Sequence, residues 1–318
     1  VVIVNFRTPT LVVECLRSLE SEVIANPGAR VTVVDNDSGD GSSSVIAGAI
    51  QREGWSTWAN LVLSPTNGGF SYGNNFAIRP TLAEASPPDL YWLLNPDTVV
   101  IPGALGGLVD FLRANPVVGI CGGGINEEGN KPWPFAFRFP SVLSEMERGL
   151  SFGPATRLLK RWMARRLMSD APEQVDWVCG ASMMVRRDVF KRIGLMDESY
   201  FLYFEETDFC LKANRAGFQC WYVPQSRVIH IAGQSTGVTS KSSIPRRIPA
   251  YWFDSRRRYF VKNHGRAYAV ITDLVWMASY TFGRLRRKLQ GMPDGDPPHY
   301  LSDFFRYSAL RCSRIDGS

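Results

Sequence analysis

Short apolar runs that alternate with helix-like segments, each run closed by a polar residue, predict an α/β chain with a mixed, mostly parallel sheet flanked by helices. The composition agrees: 45% apolar and 21% charged residues are the balance of a globular protein. A chain of 318 residues accommodates one large domain plus an extension, and buries a sizeable core without disulfide help.

The elements follow in order. Residues 1–4 are a β-branched run ending at Asn5. Residues 11–19 place Leu11, Cys15 and Leu19 on one helical face. Residues 31–34 are a second buried strand, closed by Asp35. A helix follows, and residues 61–63, 91–94 and 117–121 read as three further strands. In such sheets ligands bind beyond the carboxyl ends of the strands. Asn5, Asp35, Asn67 and Asp97 therefore fall along one rim. Residues 131–140 are aromatic and proline-rich, an irregular lid or edge. Residues 141–169 read as one basic amphipathic helix, 177–185 as a strand, and 188–193 as the start of a helix. Residues 206–216 form a helix ended by Gly217, followed by short strands at 221–223 and 228–231. Beyond about residue 236 the chain turns basic and helical, and a boundary is placed there.

Six cysteines (Cys15, Cys121, Cys179, Cys210, Cys220 and Cys312) are scattered without a CxxC pair. Neither a zinc site nor a disulfide framework is suggested, and reduced thiols are expected. The net charge of +6 is concentrated late, in clusters at residues 157–166, 246–247, 256–258 and 284–288. Such clusters suit phosphates, anionic lipid or nucleic acid, or are simply solvated helix faces. An acidic strand rim and the lack of any nucleic-acid motif argue against a nucleic-acid partner. No signal peptide is read, and residues 267–282, the most apolar late stretch, are too short to span a bilayer comfortably.

Five motifs carry chemistry. Residues 33–42 (VVDNDSGDGS) set Asp35 and Asn36 before a Ser-Gly-Asp-Gly-Ser turn. A strand-end carboxylate can accept hydrogen bonds from a nucleobase or ribose, and the turn lets backbone approach a ligand. The same residues also suit an acidic helix cap. Asn67-Gly68-Gly69-Phe70-Ser71-Tyr72-Gly73-Asn74-Asn75 leads into a helix start crowded with amides, suited to phosphates or sugar hydroxyls. Asn95-Pro96-Asp97 puts a carboxylate just past a buried strand, as a hard cation such as Mg²⁺ or Mn²⁺ requires, with Asn95 as a neutral oxygen donor. Glu205, Glu206 and Asp208 lie near a helix start within an aromatic segment. Adjacent acids raise each other's pKa, which suits a base working near neutral pH, although a helix N-terminus also favours acids electrostatically. His230 closes a short strand before a small-residue loop, within reach of a metal or a diphosphate.

Together these motifs resemble the inverting family-2 glycosyltransferases of GT-A fold, a Rossmann-like architecture, and within them the bacterial rhamnosyltransferase-like branch. The likeness runs through VVIVNF, VDNDSGDGS, NGGFSYGNN, LLNPDT, WVCGASMMVRR, GLMDESYFLYFEETDFCLKANRAGF and VIHIAGQST, covering about residues 1–236. It implies a catalytic domain over 1–236, with a nucleotide-sugar half to about residue 125 and an acceptor half over 126–236. Residues 237–318 are then a basic, helical C-terminal extension. It also implies that Asp35 binds the nucleobase, with Asn5 and Phe6 lining that pocket beside Asn36. Asn67, Gly68, Gly69, Asn74 and Asn95 lie by the diphosphate and sugar, and Gly180, Ala181 and Asp208 shape the acceptor side. Asp97 and His230 hold the cation, Mg²⁺ or Mn²⁺, and the Glu205–Glu206 pair supplies the base. Two departures stand out: the family's Asp-x-Asp reads Asn-Pro-Asp here, and its Glu-Asp pair reads Glu-Glu. Either glutamate fits the base, and Glu206 aligns better.

The implied reaction is a metal-dependent single displacement with inversion, from a nucleotide-sugar donor to a saccharide acceptor. The branch implies dTDP-rhamnose as donor and a polyprenyl-diphosphate-linked acceptor, in O-antigen, cell-wall or exopolysaccharide synthesis. UDP-galactose, UDP-N-acetylglucosamine and UDP-galactofuranose stay open as donors, as does an inactive nucleotide-sugar-binding protein. The expected location is cytoplasmic, peripheral on the inner face of a bacterial membrane. The basic and aromatic C-terminal region fits an interfacial helix, an ordinary packed helix or a homodimer contact equally well.

Overall fold

A computed structural model describes residues 1–127, 129, 131–133, 135–230 and 246–311. In chain order the elements are β1 (Val2–Asn5), α1 (Pro9–Ala25), β2 (Val31–Asp35), α2 (Ser42–Arg52), β3 (Ala59–Leu63), α3 (Gly69–Leu82), β4 (Leu90–Leu94), β5 (Thr98–Val100), α4 (Ala104–Ala114), β6 (Val118–Glu127), β7 (Lys131–Trp133), β8 (Phe135–Phe137), α5 (Val142–Leu150), α6 (Gly153–Leu158), β9 (Arg165–Leu167), β10 (Glu173–Val175), β11 (Ser182–Arg186), α7 (Arg187–Ile193), α8 (Glu205–Arg215), β12 (Gln219–His230), α9 (Ala250–His264), α10 (Arg266–Leu289) and α11 (Tyr300–Tyr307).

The chain forms two compact units. The first comprises Val1–Phe137, Leu167–Phe201 and the described part of Glu205–Ser240. Its sheet has the order β10-β12-β6-β11-β4-β1-β2-β3, with β5 added to β12 and β7 to β6. Strands β4, β1, β2 and β3 run parallel. Strand β11 enters antiparallel between β4 and β6, and β12 runs parallel to β6. The mixed, mostly parallel sheet expected from the sequence is observed. Its core is built from the continuous apolar runs, with Ile3, Val31, Val33, Trp92 and Leu94 buried against Val12, Leu16 and Leu19 of α1. Polar residues close the strands because the last backbone groups there no longer face apolar neighbours.

Several elements differ from the sequence reading: residues 131–137 hold β7 and β8 where an irregular segment was expected, β10 adds a strand, and the strand expected over 177–185 is β11 alone. Residues 141–169 are not one helix: α5 stops at Ser151, which takes a left-handed φ of 45°, and α6, a 3₁₀ turn and β9 follow. The helical periodicity there hid a break, because Ser151 and the Gly153-Pro154 step were read as interior residues. Residues 219–230 form one long strand rather than two. Pro224 reads as a terminator but lies where pairing with β6 shifts register between Val223 and Arg227, so its missing N–H costs no ladder bond. The expected strand end at Ile231 and the AGQST loop lie outside the described residues, as do Pro134, the 236 boundary and Cys312. Strand β5 was not anticipated; three residues after a turn are too few to show a period.

The second unit comprises Arg138–Arg166, Leu202–Phe204 and the described part of Lys241–Ser318. Its core joins Phe253 of α9, Trp276 and Tyr280 of α10, and Phe304 of α11. Trp276 stacks on Phe304 at 3.7 Å between centroids. Part of the basic sequence is interior, not solvated. Arg256 is buried and donates to Glu145 at 2.8 Å and to Asp273 at 2.5 Å, while Asp273 also accepts the Ala309 N–H at 2.8 Å. Such a network tolerates burial because every charge is paired; removing one partner alone strands the others.

Candidate active site

The carboxyl ends of β1 and β2 are tied by side chains. Asn5 is fully buried and donates to Asp35 Oδ1 at 2.7 Å and to Ser38 Oγ at 3.1 Å. Ser38 in turn donates to Asp35 Oδ1 at 2.5 Å. Asn5 and Asp35 are thus a matched pair, and Ser38 in the following turn locks them. Ser38 also takes the Arg7 backbone N–H at 3.0 Å, and its carbonyl accepts Arg7 Nε at 3.0 Å. Arg7 has a left-handed φ of 57°, a conformation that costs a non-glycine residue energy and so marks a constrained position. Its guanidinium lies over the Phe6 ring at 5.0 Å. Ser38 and Arg7 were missed in the sequence; the only trace of Ser38 was its place in the Gly-rich turn.

The NGG turn is held from both sides. Asn36, buried, donates to Asn67 Oδ1 at 2.9 Å and to the Gly69 carbonyl at 3.1 Å, leaving its own Oδ1 buried without a partner. Asn67 Oδ1 also accepts the Gly69 N–H at 3.1 Å. Gly69 has φ of +86°, and a Cβ there would lie 1.9 Å from the Phe201 carbonyl oxygen, which accepts the Phe70 N–H at 3.0 Å. Glycine is required at this position. Gly69→Ala is expected to lose at least about 2 kcal/mol, a fall in Tm of roughly 4–8 °C by calorimetry for a chain of this size. Within α3, Asn74 turns its amide back to the Phe70 carbonyl at 2.9 Å, whereas Asn75 reaches Met196 and Glu198 at 2.8 and 2.9 Å. Asn75 was not singled out in the sequence, yet it is the amide that fixes the segment before α8.

The end of β4 meets the end of β12 through β5, whose Thr98 pairs with His230. That pairing sets His230 Nε2 3.3 Å from Asn95 Nδ2 and 3.2 Å from Asp97 Oδ1. Asp97 is 2% exposed, and among the described residues neither of its carboxylate oxygens has a hydrogen-bond partner. An unsatisfied buried carboxylate is costly and uncommon. A divalent cation satisfies such oxygens, and the donor set of carboxylate oxygen and imidazole nitrogen fits one. Among the described residues no three or more His, Cys, Asp and Glu side chains converge as a closed cage. Two protein donors suit a cation that also takes ligand phosphates.

At the start of α8, Glu205 is buried and Glu206 half-buried, each with a buried Oε2 that lacks a hydrogen-bond partner. Burial pushes the Glu205 carboxyl well above its usual range, and the neighbouring Glu206 charge adds to this. Burial also raises Glu206, partly offset by N–H donation from its own backbone and from Gly180. Gly180 and Ala181 sit just before β11, where the Ala181 carbonyl accepts the Asn95 N–H at 3.1 Å. Beside them, burial lifts the Cys179 thiol to about 12, with further contributions from the charges of Glu206, Glu205 and Asp97. Asp208 is turned away to accept the Tyr200 hydroxyl at 3.2 Å. The two residues before α8, Tyr203 and Phe204, have φ of 70° and 67°, strained for aromatic residues.

The sheet order and the polar rim at its strand ends define a chain of GT-A fold. Residues 1–247 match the sequence model of the family described as "Glycosyltransferase like family 2", and the chain belongs to that family. It is therefore a glycosyltransferase. The N-acetylglucosaminyl-diphospho-decaprenol L-rhamnosyltransferase of Mycobacterium tuberculosis is 31% identical over 219 residues, 65% of this chain and 68% of that protein. Rhamnosyltransferase WbbL of Escherichia coli is 28% identical over 167 residues, 52% of this chain and 61% of that protein. A mannosyltransferase from Pyrobaculum calidifontis, solved with GDP-Man and Mn²⁺, superposes with a TM-score of 0.54 at 14% identity, covering 96% of this chain and 77% of its own. GalNAc-T7, solved with UDP, GalNAc and Mn²⁺, gives 0.53 at 15% identity, covering 96% of this chain and 53% of its own. These structures share the fold.

Proposed function

We propose that the chain transfers L-rhamnose from dTDP-rhamnose to a saccharide acceptor carried on a polyprenyl diphosphate, with inversion and with a divalent cation. The observation that carries the transferase site is the buried Asp97 carboxylate, without hydrogen-bond partners among the described residues and 3.2 Å from His230. The rhamnosyl donor and lipid-linked acceptor rest on the relatives named above. Residues 1–236 form the catalytic part in this reading, with the nucleotide half to about residue 125, and 237–318 the extension.

Asn5, Asp35 and Ser38 present a fixed hydrogen-bonding edge to the nucleobase and ribose, with Phe6 beside it. Asn36, Asn67, Gly68 and Gly69 hold the turn that approaches the diphosphate, with Asn74 and Asn95 flanking the sugar. Asp97 and His230 hold the cation, Mg²⁺ or Mn²⁺, which when bound neutralises charge on the departing diphosphate. Glu206 takes the proton from the acceptor hydroxyl as that oxygen bonds to the anomeric carbon, while the bond to the diphosphate breaks on the opposite face. Its partial exposure and the Gly180 N–H that aims its carboxylate favour it over the buried Glu205. Glu205 keeps the pair's affinity for a proton high. Gly180 and Ala181 line the acceptor side, and Asp208 positions Tyr200 beneath it.

The test is release of nucleoside diphosphate from dTDP-rhamnose, UDP-galactose, UDP-N-acetylglucosamine and UDP-galactofuranose, with a polyprenyl-diphosphate-linked acceptor and Mn²⁺, Mg²⁺ or chelator. Turnover of dTDP-rhamnose alone, lost with chelator, is expected. Turnover of a UDP-sugar instead would replace the rhamnosyl assignment but keep the site. Thermal stabilisation by a nucleotide with no turnover of any donor would point to a binding protein.

A further inference from the structure

Helix α10 is apolar on two opposite sides. Ala269, Trp276, Tyr280 and Gly283 are buried in the core of the second unit. At about 100° per residue, Ile271, Leu274, Ala278, Phe282, Leu285 and Leu289 fall within an arc of about 80° centred opposite that core. The five large side chains of this arc are 49–80% exposed. Arg284, which pairs with Asp294 at 2.7 Å, and Lys288 border one side of the stripe, and Arg286, which donates to the Ser151 carbonyl at 2.9 Å, borders the other. The stripe continues into a cleft of about 1110 Å³ lined by Leu274, Phe282, Leu285 and Phe305 together with Arg284, Asp294 and Asp296. A contiguous exposed apolar surface marks a binding face.

Charge identifies what covers it. Residues 138–166 and 246–311 hold twenty Lys and Arg against seven Asp and Glu, an excess of thirteen in a chain whose net charge is +6. The remainder of the chain is therefore net negative, and the positive charge collects on the unit that bears the stripe. An apolar stripe edged by cations is complementary to an anionic bilayer, whose headgroups take the cations while acyl chains take the apolar face. Among the described residues no helix is long and apolar enough to cross a membrane, so α10 would lie along the surface.

We propose that α10 docks on an anionic lipid bilayer, with Ile271, Leu274, Phe282, Leu285 and Leu289 inserted and Arg284, Arg286 and Lys288 at the headgroups. The inference stands apart from the donor assignment, because its test needs no turnover. The full chain is sedimented with vesicles of phosphatidylglycerol and phosphatidylcholine, or of phosphatidylcholine alone. Expected are binding to the anionic vesicles, little to the neutral ones, and weakening by at least about tenfold in high salt. The double variant Phe282→Glu/Leu285→Glu, at exposed positions, lowers partitioning roughly a hundredfold with Tm unchanged. Three results overturn the proposal: no binding of the wild type to anionic vesicles, equal binding of the double variant, or self-association or nucleic-acid binding through this face in place of vesicle binding.

Discussion

Replacing Asp97 with Asn is expected to lower sugar transfer by at least about a thousandfold, which corresponds to roughly 4 kcal/mol of transition-state stabilisation. The carboxylate is buried, neither oxygen has a hydrogen-bond partner among the described residues, and the His230 ring lies 3.2 Å away. Such a group is held in place for something that it binds, since burying an unpaired carboxylate lowers stability. The substitution therefore separates two effects. Without a cation the Asp97→Asn variant should be more stable than wild type, by roughly 2–4 °C in Tm for about 1 kcal/mol. With Mn²⁺ and a nucleoside diphosphate the wild type should gain stability and the variant should not. Scanning calorimetry with and without Mn²⁺, alongside diphosphate release, reads both. Retained turnover in the variant, or an Mn²⁺ shift of wild-type size, would remove Asp97 from the site.

Glu206→Gln is expected to lower kcat by about 10²–10⁴-fold, the span of general-base contributions, with little change in the KM for the donor. Gln keeps the size of the side chain and its contact with the Gly180 N–H but cannot accept the proton. Glu205→Gln should cost much less. The base acts when ionised, and burial of the pair raises both carboxyls above the ordinary range near 4.3. Activity therefore falls as pH drops through that raised range. Glu206 carries the smaller rise and ionises first, beside a neutral Glu205, so Glu205→Gln leaves the acid limb close to its wild-type position, whereas removing the Glu206 charge lowers the Glu205 carboxyl. The stability sign follows from the same shift. A carboxyl with a raised folded-state pKa contributes stability fully present below its unfolded value and lost as pH rises through the folded one. Glu205→Gln should thus raise Tm at pH 7 and leave it nearly unchanged at pH 4. An acid limb that moves clearly in Glu205→Gln contradicts this order of ionisation.

The strands of residues 1–125 were legible, though not their order in the sheet, because buried parallel strands are written as unbroken apolar runs, and the polar residue after each run marks the rim. Asn5, Asp35, Asn67 and Asp97 could be placed from that alone. What the sequence could not show is which of these side chains touch. Asn5 and Asp35 are joined through Ser38, in the turn after the second strand, and Asn36 rather than Asp35 clasps the NGG turn. The approach of His230 to Asp97 depends on β5, a three-residue strand with no periodicity to read, and on a long β12 that passes Pro224 by a register shift. Asn75 was hidden beside Asn74, because helix phase, not residue type, decides which amide faces residues 196–198. The basic cluster at 256–258 misled for a similar reason: charge in a sequence does not reveal that Arg256 is neutralised in a core by Glu145 and Asp273. Likewise α10 was legible as apolar and basic, but only the packed structure separates the face that fills the core from the face that does not.

The central claim is a direct displacement in which a carboxylate on α8 activates the acceptor hydroxyl. The anomeric configuration of the glycosidic bond in the purified product, compared by NMR with that of the donor, tests it most directly. Inversion in the wild type, with product from Glu206→Gln slowed by about 10²–10⁴-fold, is the predicted result; retention of configuration would require a nucleophile beneath the sugar and would contradict the assignment of Glu206 as base.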